Sequence, residues 1–213
     1  MKIVFATGNT HKLQEINEIS KGSGIEFVLP ADGFAPVENG ETFEENSFIK
    51  AREAARVSKM ISLADDSGLC VEALDGAPGI HSARYAETAQ ARIDKLLNVL
   101  KNEQNRKAKF VCVMTLVDKE GNILFQTRGE CHGKIAYKQS GTNGFGYDPI
   151  FLVENNKNGS AATDGNAISQ TGIGTKGKKT MAEMSEDEKN EISHRGRALR
   201  KVLEFLNNNY PSL

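Results

Sequence analysis

The sequence predicts an α/β fold, in which helices cover the faces of a β-sheet. Near the start, an apolar run at residues 3–6, a helix with one apolar side and a second apolar run at residues 25–29 follow one another. This β-loop-α-β order is typical of an α/β sheet. Further along, residues 109–118 and 123–131 are predicted as two long strands joined by a turn at residues 119–122.

Capping patterns and apolar spacing predict the helices. Thr42 and Glu45 have the spacing of a capping box and open a helix over residues 42–61. A helix over residues 89–100 follows from apolar residues three and four apart, and a second capping box begins at Ser185. The last helix has an apolar side formed by Leu199, Val202, Leu203 and Leu206.

Residues 155–180 differ from the rest of the chain in composition. They are rich in Gly, Ser, Thr, Asn and Lys and contain almost no large apolar side chains. Such a segment buries little surface, so we predict a long polar loop inserted into a single domain over residues 1–213. A short strand is predicted just before it, at residues 149–153.

Charge and composition exclude several classes of protein. The 213 residues carry a formal net charge of −1, which disfavours a nucleic-acid-binding module. No apolar run approaches the length of a membrane span, and the N-terminal apolar run is too short for a secretory signal. The three cysteines, Cys70, Cys112 and Cys131, lie far apart without a CxxC pair. We therefore expect a cytoplasmic protein without disulfides or a zinc site.

The segment FATGNTHK, residues 5–12, forms a polar turn between the first strand and the first helix. Backbone N–H groups at a helix N-terminus, preceded by small residues, suit an anion. Lys12 adds a positive charge beside them. An ordinary strand-to-helix turn capped by Asn9 or Thr10 explains the same residues.

Carboxylates gather in two other stretches. In ADDSG, residues 64–68, we predict that a strand ends at Asp65 and Asp66, which would place both at the carboxyl edge of the sheet, where ligands bind. Adjacent like charges repel, and Mg²⁺ would neutralise them, with Glu38 as a third carboxylate. Lys50 lies two turns into the helix that follows Glu38. A solvated turn explains DDSG equally well.

Aromatic and basic groups occupy two further motifs. The stretch GTNGFGYDPIF, residues 141–151, sets Phe145 and Tyr147 among glycines, where an aromatic ring can stack on a planar base. The stretch SHRG, residues 193–196, opens the last helix and supplies hydrogen-bond donors, including Arg195. Core packing of the aromatic rings and a surface helix cap are the alternatives.

Together, these motifs closely resemble those of the inosine triphosphate pyrophosphatase family. The resemblance spans nearly the whole chain, in the order FATGNTHK, ENGETFEENSFIKA, ADDSGLCVEALDGAPGIHSARYA, GTNGFGYDPIF and SHRGRAL. It implies an elongated, two-lobed α/β fold with a central mixed sheet, a cleft between the lobes and a homodimeric assembly. The implied reaction is Mg²⁺-dependent hydrolysis of the non-standard purine nucleotides ITP, dITP and XTP to nucleoside monophosphate and pyrophosphate.

The resemblance also implies roles for individual residues. Asp66 would be the proton acceptor, with Asp65 beside it, and Lys50 would stabilise charge on the phosphates. Glu38 and Asp66 would hold Mg²⁺. The implied substrate-binding residues are Thr7, Gly8, Asn9, Thr10, His11 and Lys12 at the triphosphate, Ser67, and Phe145, Gly146, Tyr147, Asp148, Lys189, His194 and Arg195 at the base.

Base selectivity has a simple physical form. Hypoxanthine and xanthine carry a 6-keto acceptor, whereas adenine carries a 6-amino donor, so a pocket lined by donors favours the former. The chain departs from the family pattern in the link before Lys189, which is longer by roughly twenty residues, beyond common loop lengths. This loop could be a lid, a dimer contact or an inert insertion.

Three other functions fit part of the sequence. The Maf-like nucleotide pyrophosphatases share the implied fold but favour pyrimidine or modified nucleotides, and SHRGRAL and GFGYDPIF favour the purine branch. A non-catalytic nucleotide sensor would not need the full set of Lys12, Glu38, Lys50, Asp65 and Asp66. A nucleic-acid-binding module is disfavoured by the net charge of −1.

Overall fold

A mixed β-sheet forms the centre of the protein. The computed structural model describes residues 1–154 and 179–210. Within them the sheet is six-stranded, in the order β2-β1-β3-β4-β5-β6. Strand β1 is parallel to β2 and β3, and the remaining neighbours are antiparallel. The strands are β1 Lys2–Phe5, β2 Glu26–Val28, β3 Ser62–Val71, β4 Lys107–Val117, β5 Ile123–Ile135 and β6 Phe151–Val153.

Helices cover both faces of this sheet, so the predicted α/β class with a central mixed sheet is confirmed. They are α1 Thr10–Ile19, α2 Phe43–Ser58, α3 Ala89–Val99, α4 Glu186–Ile192 and α5 His194–Asn209. Both predicted capping boxes form, at Thr42 and at Ser185. Asn9 caps α1 through its side chain, which accepts a hydrogen bond from the His11 N–H. Residues 10–12 therefore lie in the first turn of α1 and not in the preceding loop.

The prediction that a strand ends at Asp65 and Asp66 is wrong. Strand β3 continues to Val71 because β4 pairs with it along its whole length. A carboxyl edge is instead formed by the neighbouring strand, since β1 ends at Phe5 and pairs only with Ser62 and Leu63 of β3. Asp65 and Asp66 therefore lie just beyond the end of β1, in the middle of a long strand.

Two clusters of buried apolar side chains give the protein its two lobes. One cluster joins β1, α1 and α5 to the early part of β3, around Leu63 and Met114. The other joins α3 and β6 to the late part of β3, around Leu69 and Phe110. Strands β3 and β4 contribute to both clusters, so the carboxylates at the centre of β3 lie between the lobes.

The remaining predictions concern cysteines, membrane spans and the polar loop. Cys112 and Cys131 are buried and Cys70 is half-buried, and all are free thiols. Within the described ranges, we find no helix with the length and apolarity that crossing a bilayer requires. Most of the predicted 155–180 loop lies outside the described residues. Thr180, at its end, forms an isolated bridge with Leu152.

Replacing Gly129 with alanine is expected to destabilise the protein by about 1–3 kcal/mol, because overpacking at a backbone contact costs that much. A Cβ at Gly129, on β5, would meet the carbonyl oxygen of His194 and lie 2.7 Å from the backbone nitrogen of Ala198. Thermal unfolding would measure the change. Gly8→Ala is the control, since a Cβ there has nothing within 4 Å. Equal melting temperatures for the two variants would contradict close packing of α5 on β5.

Candidate functional site

A cleft of about 320 Å³ between the lobes contains many of the predicted site residues. Its lining includes Asn9, Lys12, Ser67, Phe145, Gly146, Tyr147, Asp148, Lys189, His194 and Arg195. These residues come from α1, β3, the loop before β6, α4 and α5. Chain segments that are distant in sequence therefore meet at one site.

Asp65 and Asp66 point to opposite faces of the sheet, since side chains alternate along a strand. Asp65 faces α1 and α5, where it meets Lys12 and Arg195. Asp66 faces α2, where it meets Lys50. Strand β1 ends before it reaches Asp65 and Asp66. On that side of β3, no neighbouring strand in the described part of the chain separates the two faces of the sheet.

Asp65 is the centre of a buried ion network. Lys12 Nζ lies 3.0 Å from each Asp65 carboxylate oxygen, and Arg195 donates to Oδ2 at 3.1 and 3.3 Å. The Ser67 hydroxyl donates to Oδ2 at 2.7 Å, and Glu15 pairs with the other side of Arg195. Burial favours the neutral acid, but Lys12 and Arg195 outweigh it, so the pKa of Asp65 lies well below its ordinary value. Asp65 is therefore a carboxylate at neutral pH.

Asp66 has the opposite electrostatic environment. Its Oδ1 accepts a hydrogen bond from Lys50 at 2.8 Å, and Lys50 also lies 3.2 Å from Glu38. Burial raises the pKa of Asp66 above its ordinary value despite this lysine. The pKa of Lys50 is also raised, because the surrounding carboxylates outweigh its burial. Adjacent carboxyl groups thus have pKa values shifted in opposite directions, which is typical of sites that assign them different tasks.

Glu38 and Asp66 fit a divalent cation through oxygen ligands. The buried Oδ2 of Asp66 has no hydrogen-bond partner in the structure, and Glu38 is partly open to solvent. In the parts of the chain that the structure describes, no group of three or more His, Cys, Asp or Glu side chains could hold a metal. Such a pair suits Mg²⁺, which uses one or two protein carboxylates and keeps its other positions for water and phosphate oxygens.

The base-stacking candidate Phe145 lies beside buried charges. The residue is 38% exposed, with the Lys189 ammonium 4.6 Å and the Arg195 guanidinium 5.7 Å from the ring centroid. Lys189 also donates to Asp148 at 2.9 Å, and Asp148 accepts from the Phe145 N–H. Asp148 thereby holds both the ring and the lysine in place.

His194 supplies a neutral polar edge to the cleft. Burial and the nearby cations Arg195 and Lys189 keep its pKa well below the ordinary value, so the ring is uncharged at pH 7. It stacks on Phe110 with centroids 4.8 Å apart, and its Nδ1 is buried without a hydrogen-bond partner. Tyr147, by contrast, is a core residue whose hydroxyl donates to the Ser82 carbonyl.

Some predicted residues lie outside the cleft lining. Thr7 accepts from the Asn9 N–H and so shapes the loop, while Gly8 and Thr10 are exposed beside it. His11 lines a neighbouring cavity of about 380 Å³, which shares Phe145 and Lys189 with the cleft. The candidates for metal binding and catalysis lie next to the cleft, at the end of β1: Glu38, Lys50, Asp65 and Asp66.

Sequence reasoning missed several cleft residues, including Gly68, Ser82, Arg92 and Phe110. It also missed Glu15, the second partner of Arg195. Glu15 lies three residues after Lys12, a spacing that puts both on one side of a helix. That spacing could have identified it, whereas Phe110 looks like any other apolar strand residue.

Comparisons with known proteins agree across nearly the whole chain. Residues 3–205 match the sequence model of the Ham1 family. A dITP/XTP pyrophosphatase of Treponema denticola is 42% identical over 97% of this chain and 98% of its own. One of Aquifex aeolicus is 40% identical over 98% of both chains. The structure of a HAM1 protein from Coxiella burnetii, 37% identical, superposes with a TM-score of 0.80 over 98% of this chain and 99% of its own.

Proposed function

Since the chain belongs to the Ham1 family, we propose that it hydrolyses the non-standard purine nucleotides ITP, dITP and XTP to nucleoside monophosphate and pyrophosphate. The observation that carries this proposal is the bipartite site. Acidic and basic groups suited to phosphates surround the end of β1, and an exposed aromatic ring with neighbouring donors lies at the other end of the cleft.

Asp66 is suited to activate the attacking water. Its Oδ2 is unpartnered among the described residues, whereas both oxygens of Asp65 accept hydrogen bonds from Lys12, Arg195 or Ser67. Water would attack the α-phosphorus, Asp66 would take the proton, and the bond to the bridging oxygen would break with pyrophosphate as the leaving group. Lys50 and Lys12 would stabilise the negative charge on the phosphates, which is the main requirement of phosphoryl transfer.

The base would be recognised by stacking and by donors. Phe145 offers a partly exposed ring, and Lys189 places an ammonium beside it. The backbone N–H groups of His194 and Arg195 open α5, where such groups lack partners within the helix. Donors of this kind pair with a 6-keto oxygen and are left unpaired against the 6-amino group of adenine.

Mg²⁺ is the proposed metal, held by Glu38 and Asp66. When bound, it would supply Lewis-acid stabilisation of phosphate charge. Lys50, which pairs with Glu38 and Asp66 in the structure, would then share these two carboxylates with the ion. We further propose a cytoplasmic homodimer, as in the family that the sequence resembles; sedimentation velocity would test the dimer.

Pyrophosphate release from ITP, XTP, dITP, GTP, ATP and dTTP with Mg²⁺ tests the proposed function. Turnover of ITP, XTP and dITP is expected to exceed turnover of GTP, ATP and dTTP by a large factor. Turnover concentrated on dTTP would place the protein with the Maf-like enzymes. Binding without release from any of these nucleotides would instead support a nucleotide sensor.

Replacing Glu38 with glutamine should weaken the apparent affinity for Mg²⁺ by about 10- to 100-fold or more, since even the loss of an outer-shell partner costs that much. Titrating Mg²⁺ against pyrophosphate release would measure it. Glu41→Gln is the matched control, because Glu41 is an exposed carboxylate of the same loop. If the two variants needed the same Mg²⁺ concentration, Glu38 would not be a metal ligand.

A further inference from the structure

Asp65 has contacts that the proposed chemistry leaves unused. Its carboxylate is shared by Lys12, from α1, and Arg195, from α5, which are far apart in the chain. Both of its oxygens already accept hydrogen bonds, and the side chain is 1% exposed. A proton or metal ion bound to these oxygens would compete with Lys12 and Arg195 for the carboxylate.

The two cations that Asp65 holds serve different ends of the site. Lys12 lines the cleft with its side chain 20% exposed, on the helix whose N-terminal loop is suited to phosphates. Arg195 is completely buried and lies beside the Phe145 ring, where the base would stack. With Glu15, the group contains two carboxylates and two cations, so its formal charges cancel.

We propose that Asp65 is a positioning residue that fixes the phosphate end and the base end of the site relative to each other. A displacement of the Lys12 ammonium then moves Arg195, whose guanidinium lies 5.7 Å from the centroid of the Phe145 ring at the base end. Discrimination between bases therefore depends on Asp65, although Asp65 contacts neither the base nor the phosphates. This inference rests on the proposed function and adds a determinant of its base selectivity.

The variant Asp65→Asn tests the link. The amide has nearly the same shape but cannot attract both cations. We expect kcat/KM for ITP to fall by about 10- to 100-fold, in line with small misplacements of binding groups. The decisive readout is the ratio of kcat/KM for ITP to that for ATP, which should fall by about tenfold. A merely structural role would reduce the active fraction and lower both values equally, leaving this ratio unchanged and overturning the proposal.

Glu130 provides a matched control. Lys109 donates to both of its oxygens and Arg128 to one of them, so its contacts resemble those of Asp65. It lies on β5, outside the lining of the cleft. Glu130→Gln should leave the ratio of ITP to ATP unchanged. A similar fall in both variants would mean that any lost ion cluster on the sheet alters selectivity.

Lys12→Met tests the same link from the phosphate end if Asp65→Asn does not fold. A Lys12 that acts only on phosphates lowers kcat/KM for ITP and ATP equally, whereas a linked Lys12 also lowers the ratio. Hydrolysis by the wild type decides the proposed function separately. Should the wild type bind but not hydrolyse, the same ratio is read from the dissociation constants of ITP and ATP by calorimetry.

Discussion

Asp66→Asn is expected to lower kcat for ITP hydrolysis by about 10²- to 10⁴-fold, the usual contribution of a positioned general base. The amide cannot accept the proton of the attacking water. It also removes a negative charge from beside Lys50, whose ammonium lies 2.8 Å from Asp66 Oδ1. The fold should survive, because the amide occupies the same volume and Lys50 keeps Glu38 as a charged partner 3.2 Å away.

Initial rates at saturating ITP and Mg²⁺ would measure this effect, with melting temperature as the check on folding. Asp32→Asn is the control, since Asp32 lies in an exposed turn. The wild type should also lose activity at low pH, because only the deprotonated Asp66 can accept a proton and bind Mg²⁺. A variant that kept its kcat within a few-fold would assign proton transfer to another group.

The sequence contained most of the information about the helices and about which residues meet. Capping boxes are local signals, so the starts of α2 and α4 could be predicted to the residue. The motifs that carried the family resemblance supply most of the cleft lining. These successes depend on short-range chemistry or on a pattern shared with relatives.

Features set by distant pairing could not be predicted in this way. Strand β3 continues past Asp66 because β4, more than forty residues later, pairs with it; the register Asp66↔Val113 shows this. Once both aspartates lie within a strand, their placement on opposite faces follows from its period of two. The burial of Arg195 depends on Asp65 and Glu15 together, and no local signal in SHRG indicates it.

Arg195→Met should destabilise the protein by about 3–5 kcal/mol, since removing one partner of a buried ion pair leaves an uncompensated charge. The Arg195 side chain is 1% exposed and pairs with both Asp65 and Glu15. Methionine fills the space but cannot replace either contact. At about 2–4 °C per kcal/mol for a chain of this size, the melting temperature should fall by roughly 10 °C.

Arg128→Met is the matched control for this measurement. Arg128 also pairs with two carboxylates, Glu44 and Glu130, but its side chain is 40% exposed. Exposed pairs contribute at most about 1 kcal/mol, so its melting temperature should change little. An equal fall in melting temperature in the two variants would show that the burial of Arg195 does not determine how much stability is lost.

The pH dependence of the Arg195→Met deficit has a definite sign. In the wild type, the lowered pKa of Asp65 adds stability above its unfolded pKa, and this stability is lost as the pH falls through the folded value. Without Arg195, Asp65 keeps Lys12 but loses one of the two main cations that lower its pKa, so its folded-state pKa rises and part of this stability is lost. The deficit relative to the wild type should therefore stay constant at neutral pH and shrink as the pH falls below about 4, the ordinary pKa of an aspartate. The charges that align Arg195 beside Phe145 would then be the same charges that hold α5 on the sheet, so selectivity and stability would depend on one ion network.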